Sequence, residues 1–354
     1  MATAIEVNLA DVLNRLARGT SLTREEAADA LRAVMTGAVS EIQTAALLTA
    51  LRTKGETIDE VAGFAESMRA HALQVTLIAD DRPVVDTCGT GGDGYHTFNV
   101  STTAAFVVAG AGVLVAKHGN RAASSKTGSA DLLEALGASI VASPDRVAES
   151  VARTGFGYMH APEYHPAMRY VMPVRRGLGF PTIFNILGPL SNPAGVRRQV
   201  IGVRDQPTAR TMANVLAQLG SERVLIVTSP EGADELTLTG PNCVVDYDRD
   251  RGTVEEYTVD ARDYGLMQAE LGAIRGGDAA ENAAITTRVL DGEDSAYRQT
   301  VVLNAAAALV ASGSVASFGD AIALAQDSID SGAARQTVGA FVAFSNQPAE
   351  EAVA

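Results

Sequence analysis

Near the start of the chain, a Ser or Thr is repeatedly followed three positions later by Glu or Gln at the head of an amphipathic run: Thr23 with Glu26, Ser40 with Gln43, and Thr57 with Glu60. In this pattern the hydroxyl accepts a backbone N–H of the first turn and the carboxylate or amide reaches back, so each pair predicts a helix start. Gly37 and Gly55 stand where C-terminal stops are expected, and an earlier helix ends near Gly19. An all-helical unit is therefore expected through about Ala72. Apolar positions of its third helix, Ile42, Ala46, Leu47, Ala50 and Leu51, suit either a core or a seam between two copies of the chain.

From Pro83 the pattern changes to short β-favouring runs alternating with helical ones, as in βαβ units around a mostly parallel sheet. Strands are predicted over Val84–Asp86, Val113–Lys117, Ser139–Val141, Gln199–Val203 and Val224–Thr228. An antiparallel hairpin is predicted from Val244–Tyr247 and Val254–Val259. Leu132–Leu136 reads as a helix stopped by Gly137. Ser143 caps another with Pro144 at its first position, and Pro207 opens one that closes at Gly220. From Glu281 onward the chain is helical, with stops at Gly292, Gly313 and Gly332. The fold class is α/β: a small helical N-terminal domain and a larger domain with a mostly parallel central sheet. The expected boundaries are 1–74 for the helical domain, joined by a returning segment at about 166–187, and 75–165 with 188–354 for the α/β domain.

Composition narrows the function classes. The formal charge of −14 argues against a protein that tracks a phosphate backbone. The longest apolar run, Ala104–Ala116, is interrupted by glycines and is shorter than the roughly 20 residues of a membrane span. With Glu6 and Asp11 near its start the chain shows no secretory pattern, and Cys88 and Cys243 are too few for a disulfide framework, so a cytoplasmic protein with free thiols is expected. Two of the three lysines, Lys117 and Lys126, lie close together, which marks a place for an anionic ligand.

Two loops carry the candidate chemistry. After the first strand comes Gly89-Thr90-Gly91-Gly92-Asp93-Gly94, leading to Asn99-Val100-Ser101-Thr102 at the head of an apolar helix. Glycines admit a ligand close to the backbone and a helix N-terminus favours negative charge, so a phosphate or pyrophosphate would fit. Alone, such a loop also reads as a surface turn, and its spacing matches neither common nucleotide-binding motif. After the second strand comes Lys117-His118-Gly119-Asn120-Arg121-Ala122-Ala123-Ser124-Ser125-Lys126-Thr127-Gly128-Ser129, with a helix opening at Ser129. At the carboxyl end of a neighbouring parallel strand, this basic loop should face the same ligand.

In these two motifs the stretch from Asp86 to Gly137 resembles the anthranilate phosphoribosyltransferases. The likeness continues through His165-Pro166-Ala167-Met168, Pro173-Val174-Arg175-Arg176, Thr182 to Leu190, Gly232-Ala233-Asp234-Glu235-Leu236 and Leu303-Asn304-Ala305-Ala306. It implies the fold that this family shares with the class II nucleoside phosphorylases, and transfer of a phosphoribosyl group from phosphoribosyl pyrophosphate to the amine of anthranilate in tryptophan biosynthesis. It further implies that Gly89, Gly92, Asp93, Thr97, Asn99, Val100, Ser101 and Thr102 contact phosphoribosyl pyrophosphate. Lys117, His118, Gly119, Asn120, Arg121, Ala122, Ala123, Ser124, Ser125 and Ser129 would do so from the second loop. Ser101 with Glu235, and Asp234 with Glu235, would hold two Mg²⁺ ions; Gly89, Asn120 and Arg175 would meet anthranilate; and the chain would form a homodimer through its helical domain. His160, where a bulky apolar or aromatic residue is expected, and Asn242, where threonine is usual, depart from the family pattern.

The chemistry suits these residue types. Displacing pyrophosphate from ribose builds positive charge on the sugar and negative charge on the leaving group, so positioning and charge stabilisation dominate. Carboxylates and a hydroxyl are the hard oxygen donors Mg²⁺ prefers. The arylamine nitrogen of anthranilate is neutral and needs no strong base, so Cys88, His96, Ser124 and Ser125 read as binding or packing residues. Arg175 has the planar fork that grips a carboxylate at two points, while Arg176 is expected to face solvent or the helical unit. A pyrimidine nucleoside phosphorylase of the same fold and a non-catalytic nucleic-acid-binding paralogue are the competing readings. The Lys117–Asn120 loop and the acidic pair disfavour the first, the acidic balance the second.

Overall fold

The computed structural model describes residues 8–78, 80–122 and 126–348. Its N-terminal unit is built from α1 (Leu9–Ala17), α2 (Arg24–Met35), α3 (Glu41–Lys54) and α4 (Ile58–Ala70). All three capping boxes form as expected, each hydroxyl accepting the N3 backbone N–H and each N3 side chain closing back on the cap. Glu60 does more than cap α4. Its buried carboxylate accepts the backbone N–H of Leu22 at 2.9 Å and of Thr57 at 2.8 Å, and pairs with Lys54 at 2.8 Å. One side chain thereby ties the approach to α2, the end of α3 and the start of α4, and a buried pair of this kind is costly to break from one side.

The α/β part runs β1 (Val84–Gly89), α5 (Val100–Gly110), β2 (Leu114–Gly119), α6 (Ser129–Ala135), α7 (Pro144–Thr154), β3 (Phe156–His160) and α8 (Ala161–Tyr164). It then passes through α9 (Met172–Leu178) and α10 (Phe184–Leu190) to β4 (Arg198–Gly202), α11 (Gln206–Gln218), β5 (Arg223–Thr228), β6 (Asn242–Asp248) and β7 (Thr253–Val259). It ends in α12 (Ala279–Leu290), α13 (Ala296–Ser312), α14 (Phe318–Asp330) and α15 (Ala333–Ser345). The seven-stranded sheet has the order β3-β2-β1-β4-β5-β6-β7. The strands from β3 to β5 are mutually parallel, and β6 and β7 add the expected antiparallel hairpin.

One helical layer packs the α5 face of the sheet. Helices α5 and α13 are apolar nearly all round and are buried accordingly, with Phe106, Val107, Leu303 and Ala305–Ala308 in a single core with Val85, Phe156 and Leu225. On the other face, Val171, Val174, Ile183, Phe184 and Leu187 share a core with Leu31, Leu47 and Phe64, so α9 and α10 pack onto the helical unit rather than away from it. In α3, Leu47 and Leu51 are fully buried, whereas Ile42 is 82% exposed and Ala46 is exposed.

One predicted strand is corrected. Ser139–Val141 is not a strand: it is an irregular connection in which Val141 is 67% exposed, and the Ser139 N–H donates to the Ser345 hydroxyl. The strand is instead Phe156–His160, paired in register with β2 from Val115↔Phe156 to Gly119↔His160. Both stretches are short, and a three-residue apolar run does not distinguish a strand from a connection until a partner strand is at hand. Gly157 concealed the true strand. A Cβ there would lie 2.5 Å from a Val151 methyl, so the glycine serves the close packing of α7 on β3 rather than a turn.

Candidate active site

Strand order fixes where a ligand can sit. From β1 the chain moves outward to β2 and β3, then returns to β4 on the other side of β1, which leaves a crevice at the carboxyl ends of β1 and β4. Gly89 and Gly202 end these strands and are register partners. A Cβ on Gly89 would overlap the Asp234 carboxylate, and one on Gly202 would overlap the Asp234 backbone. Both glycines are thus needed for Asp234 to reach the crevice floor, where its Oδ2 accepts the Gly91 N–H at 2.6 Å.

Glu235 lies beside it and accepts the Ser101 N–H at 3.2 Å, so the open N-terminus of α5 holds a carboxylate of the chain itself. Burial pushes the Asp234 carboxyl up to about 7, helped by the negative charge of Asp93; burial and then Asp234 raise Glu235 well above the usual carboxylate range, against the opposing pull of Lys117. Asp93 also has a buried Oδ2 without a hydrogen-bond partner. Crowded, half-buried acidic groups of this kind call for a cation, and their hard oxygens with the Ser101 hydroxyl fit Mg²⁺. Among the described residues no three His, Cys, Asp or Glu side chains form a preformed metal cage. The remaining ligands would have to come from phosphate and water, the usual manner of Mg²⁺.

Lys117 is buried and its ammonium donates to the Thr87 carbonyl and, at 3.4 Å, to the Ser101 hydroxyl. Its strand neighbour His118 donates its backbone N–H to the buried Asp86, which also accepts from Asn192 at 2.8 Å. The two loops meet as expected. Asn99 donates to the Thr127 carbonyl at 3.1 Å and accepts from Asn282 of α12 at 2.8 Å, so one side chain locks both loops to a third element. Thr97 bridges Arg275, and Gly92 has a φ of +74° that only glycine adopts readily. Val100 and Thr102 are buried in the first turn of α5.

The second loop is closed by the head of α6. Asp131 accepts the N–H groups of Ala122 at 3.0 Å and Gly128 at 2.8 Å, and pairs with Arg121 at 2.9 Å. Arg121 also pairs with Glu134, which turns its guanidinium onto α6 and away from a free anion. Asn120 is exposed at the loop entrance. Ala123, Ser124 and Ser125 lie outside the described residues.

Arg175 sits partly buried on α9, donating to the Asn185 side-chain amide oxygen Oδ1 at 3.4 Å and lying over the Phe184 ring, and burial lowers its pKa. It has no carboxylate partner among the described residues, whereas Arg176 is exposed as expected. The Gly188 backbone faces the His118 ring, which brings the segment after α9 to the end of β2. Desolvation pushes the half-buried Cys88 thiol up, as suits a packing residue. His160 ends β3 opposite Gly119 with neither ring nitrogen hydrogen-bonded, and Asn242 closes the 237–242 turn by bonding Thr237, Gly240 and Val259. Asp86, Asn192, Asn282 and Gly202 were not among the residues expected from sequence. Gly202 alone had a local signal, as a glycine closing a strand at the ligand-binding edge.

The histidines give a pH prediction. Burial lowers His118 to about 3, with His165 as the next cause, and lowers His165 to about 4, against a partial opposing pull from the Ser191 backbone. Both are depressed below the unfolded value, so the stability from keeping them neutral is present above about pH 6.5 and is lost as pH falls toward the folded values. Thermodynamic linkage puts the loss at roughly 2 kcal/mol per histidine between about pH 7.5 and about pH 5. Denaturant titrations at the two pH values should show His165→Leu losing less stability on acidification than wild type; identical losses would remove His165 from the account.

The comparisons with known proteins agree with this geometry. Residues 81–335 match the a/b domain of a glycosyl transferase family, and residues 10–72 match the helical bundle domain of that family. The chain is 52% identical over 325 residues to the anthranilate phosphoribosyltransferase of Roseiflexus sp. (strain RS-1), covering 92% of this chain and 94% of the relative. The crystal structure of the Thermus thermophilus anthranilate phosphoribosyltransferase superposes with a TM-score of 0.89 at 44% identity, over 95% of this chain and 100% of that one. The Saccharomyces cerevisiae enzyme in complex with phosphoribosyl pyrophosphate and Mg has a TM-score of 0.86 at 28% identity, covering 97% and 99% of the two chains, and it has also been solved with 4-fluoroanthranilate. Together with the crevice, its paired carboxylates and its basic loop, these matches establish that the chain belongs to the anthranilate phosphoribosyltransferases.

Proposed function

We propose that the crevice at the carboxyl ends of β1, β2 and β4 binds phosphoribosyl pyrophosphate, and that the amine of anthranilate displaces pyrophosphate there to give N-(5-phosphoribosyl)anthranilate in tryptophan biosynthesis. The observation that carries this reading is the meeting of Lys117, the Ser101 hydroxyl and the half-buried Asp234 and Glu235 carboxylates between a glycine loop and a basic loop. Gly89, Gly92, Asp93, Thr97 and Asn99–Thr102 form one wall for the phosphates. Lys117–Ala122 and Ser129 form the other, with Ala123, Ser124 and Ser125 completing that loop in sequence. Ser101 with Glu235, and Asp234 with Glu235, would hold two Mg²⁺ ions, which when bound offset the charge that develops on the leaving pyrophosphate.

The protein's own groups then hold the reactants. Asn99 fixes the two loops relative to each other, Lys117 supplies buried positive charge, and Arg175 grips the anthranilate carboxylate with Asn120 and Gly89 at the ring's edge. The nucleophile is a neutral arylamine, and burial keeps the His118 ring neutral, so no strong base is required. The helical unit, taken as residues 1–74 with 166–187 returning to it, pairs with a second copy through the α3 face that leaves Ile42 exposed. Product fluorescence from anthranilate and phosphoribosyl pyrophosphate should appear with Mg²⁺ and vanish with a chelator. Activity only in phosphorolysis of a pyrimidine nucleoside, or in neither assay, would overturn the reading.

A further inference from the structure

Tyr158 stands behind the basic loop and belongs to no part of the site described so far. It lies on β3 with its ring in the same core as Phe106, Ala130 and Phe341, and it is 3% exposed. Its hydroxyl is 3.0 Å from the Ser129 Oγ, and Ser129 in turn donates to the Asn120 carbonyl at 3.2 Å. A serine hydroxyl has one proton, and here that proton is directed at Asn120, so the tyrosine is the donor in the first contact. Gly119 makes the arrangement possible, because a Cβ there would overlap the Ser129 Oγ and lie 2.9 Å and 3.0 Å from the Tyr158 Cε2 and hydroxyl.

We propose that Tyr158 is a positioning residue for phosphoribosyl pyrophosphate: by donating to Ser129 it fixes the rotamer and the proton direction of the hydroxyl that meets the substrate's phosphates. This inference rests on the reading of the basic loop as the phosphate site. In the free protein the Ser129 proton is parked on Asn120, which also receives the Ala130 N–H at 3.3 Å. That second bond lets the Asn120 carbonyl release Ser129 to a phosphate oxygen without being left unsatisfied. Throughout, the Tyr158 O–H keeps donating to the Ser129 oxygen, and a hydroxyl that accepts a hydrogen bond is the stronger donor to the next group. Burial raises the Tyr158 pKa, so the phenol keeps the proton on which this depends.

The test is a cycle of Tyr158→Phe, Ser129→Ala and the double variant, each read by steady-state kinetics in both substrates. Ser129→Ala tests the underlying reading: an unchanged KM for phosphoribosyl pyrophosphate would remove Ser129 from the phosphate site. Given a raised KM in Ser129→Ala, Tyr158→Phe should raise the same KM by about 3- to 10-fold, the range expected for one hydrogen bond, with that for anthranilate changed less than about 2-fold. The double variant should be no worse than Ser129→Ala, because the tyrosine acts only through the serine. A wild-type KM in Tyr158→Phe, equal rises in both substrates' KM, or additive effects in the double variant would each overturn the proposal.

Discussion

Asp234→Asn/Glu235→Gln should lose activity by on the order of 1000-fold or more at saturating Mg²⁺, through a raised KM for phosphoribosyl pyrophosphate together with a lowered kcat. The amides keep the shape of the side chains but remove the two negative charges that would hold the metal against the polyphosphate. Stability should move the other way. Without Mg²⁺ the fold crowds Asp93, Asp234 and Glu235 into a half-buried space, and desolvation raises the Asp234 carboxyl to about 7. A carboxyl raised in the fold keeps its full stability below the unfolded pKa and loses it as pH rises through the folded value. The double variant should therefore be more stable than the wild type by a few kcal/mol at about pH 8, and by much less at about pH 4. Loss of activity joined to a gain in stability marks a site whose charges serve a ligand, not the fold. Wild-type kinetics across a range of Mg²⁺ concentrations would remove the pair from the metal site.

Arg175→Ala should abolish the preference for anthranilate over its uncharged carboxamide. A half-buried guanidinium without a carboxylate partner among the described residues is available for a substrate carboxylate, and the charged hydrogen bonds it would make are worth roughly 1.5–3 kcal/mol, or about 10- to 150-fold in the ratio of kcat/KM for the two substrates. Arg175→Lys keeps the charge but loses the planar fork. It should raise KM for anthranilate, leave that for phosphoribosyl pyrophosphate nearly unchanged, and lower kcat only as far as the amine is misaimed. An unchanged preference in Arg175→Ala would move the carboxylate site elsewhere. Arg121, its nearest rival in sequence, is already paired with Asp131 and Glu134.

What could be read from sequence was what is decided locally. The capping boxes at Thr23, Ser40 and Thr57 form because their partners are three residues away, and the hairpin β6–β7 forms around its own turn. The glycine loop and Lys117 were legible for the same reason, since each motif is contiguous. Strand β3 was not, because its evidence is a partner strand some forty residues earlier and a packed helix that explains Gly157. The supports of the site were hidden likewise: the pairings of Asn99 with Asn282, Asp86 with Asn192, and Gly202 with Asp234 are contacts made by the fold between segments far apart in sequence, although Asn99 and Gly202 each had a local signal of their own. Arg121 shows the converse. Its place in a basic loop suggested a free cation, and the acidic first turns of α6 hold it.

Phosphoribosyl pyrophosphate is expected at the carboxyl ends of β1, β2 and β4. A crystal structure of the protein grown with phosphoribosyl pyrophosphate and Mg²⁺ tests this placement most directly. Diphosphate density is expected between the 89–102 and 117–129 loops, with metal on Asp234 and Glu235. Density at the opposite end of the sheet, in the 520 Å³ cavity lined by Arg82, Arg197 and Arg198, with the first crevice empty, would contradict it.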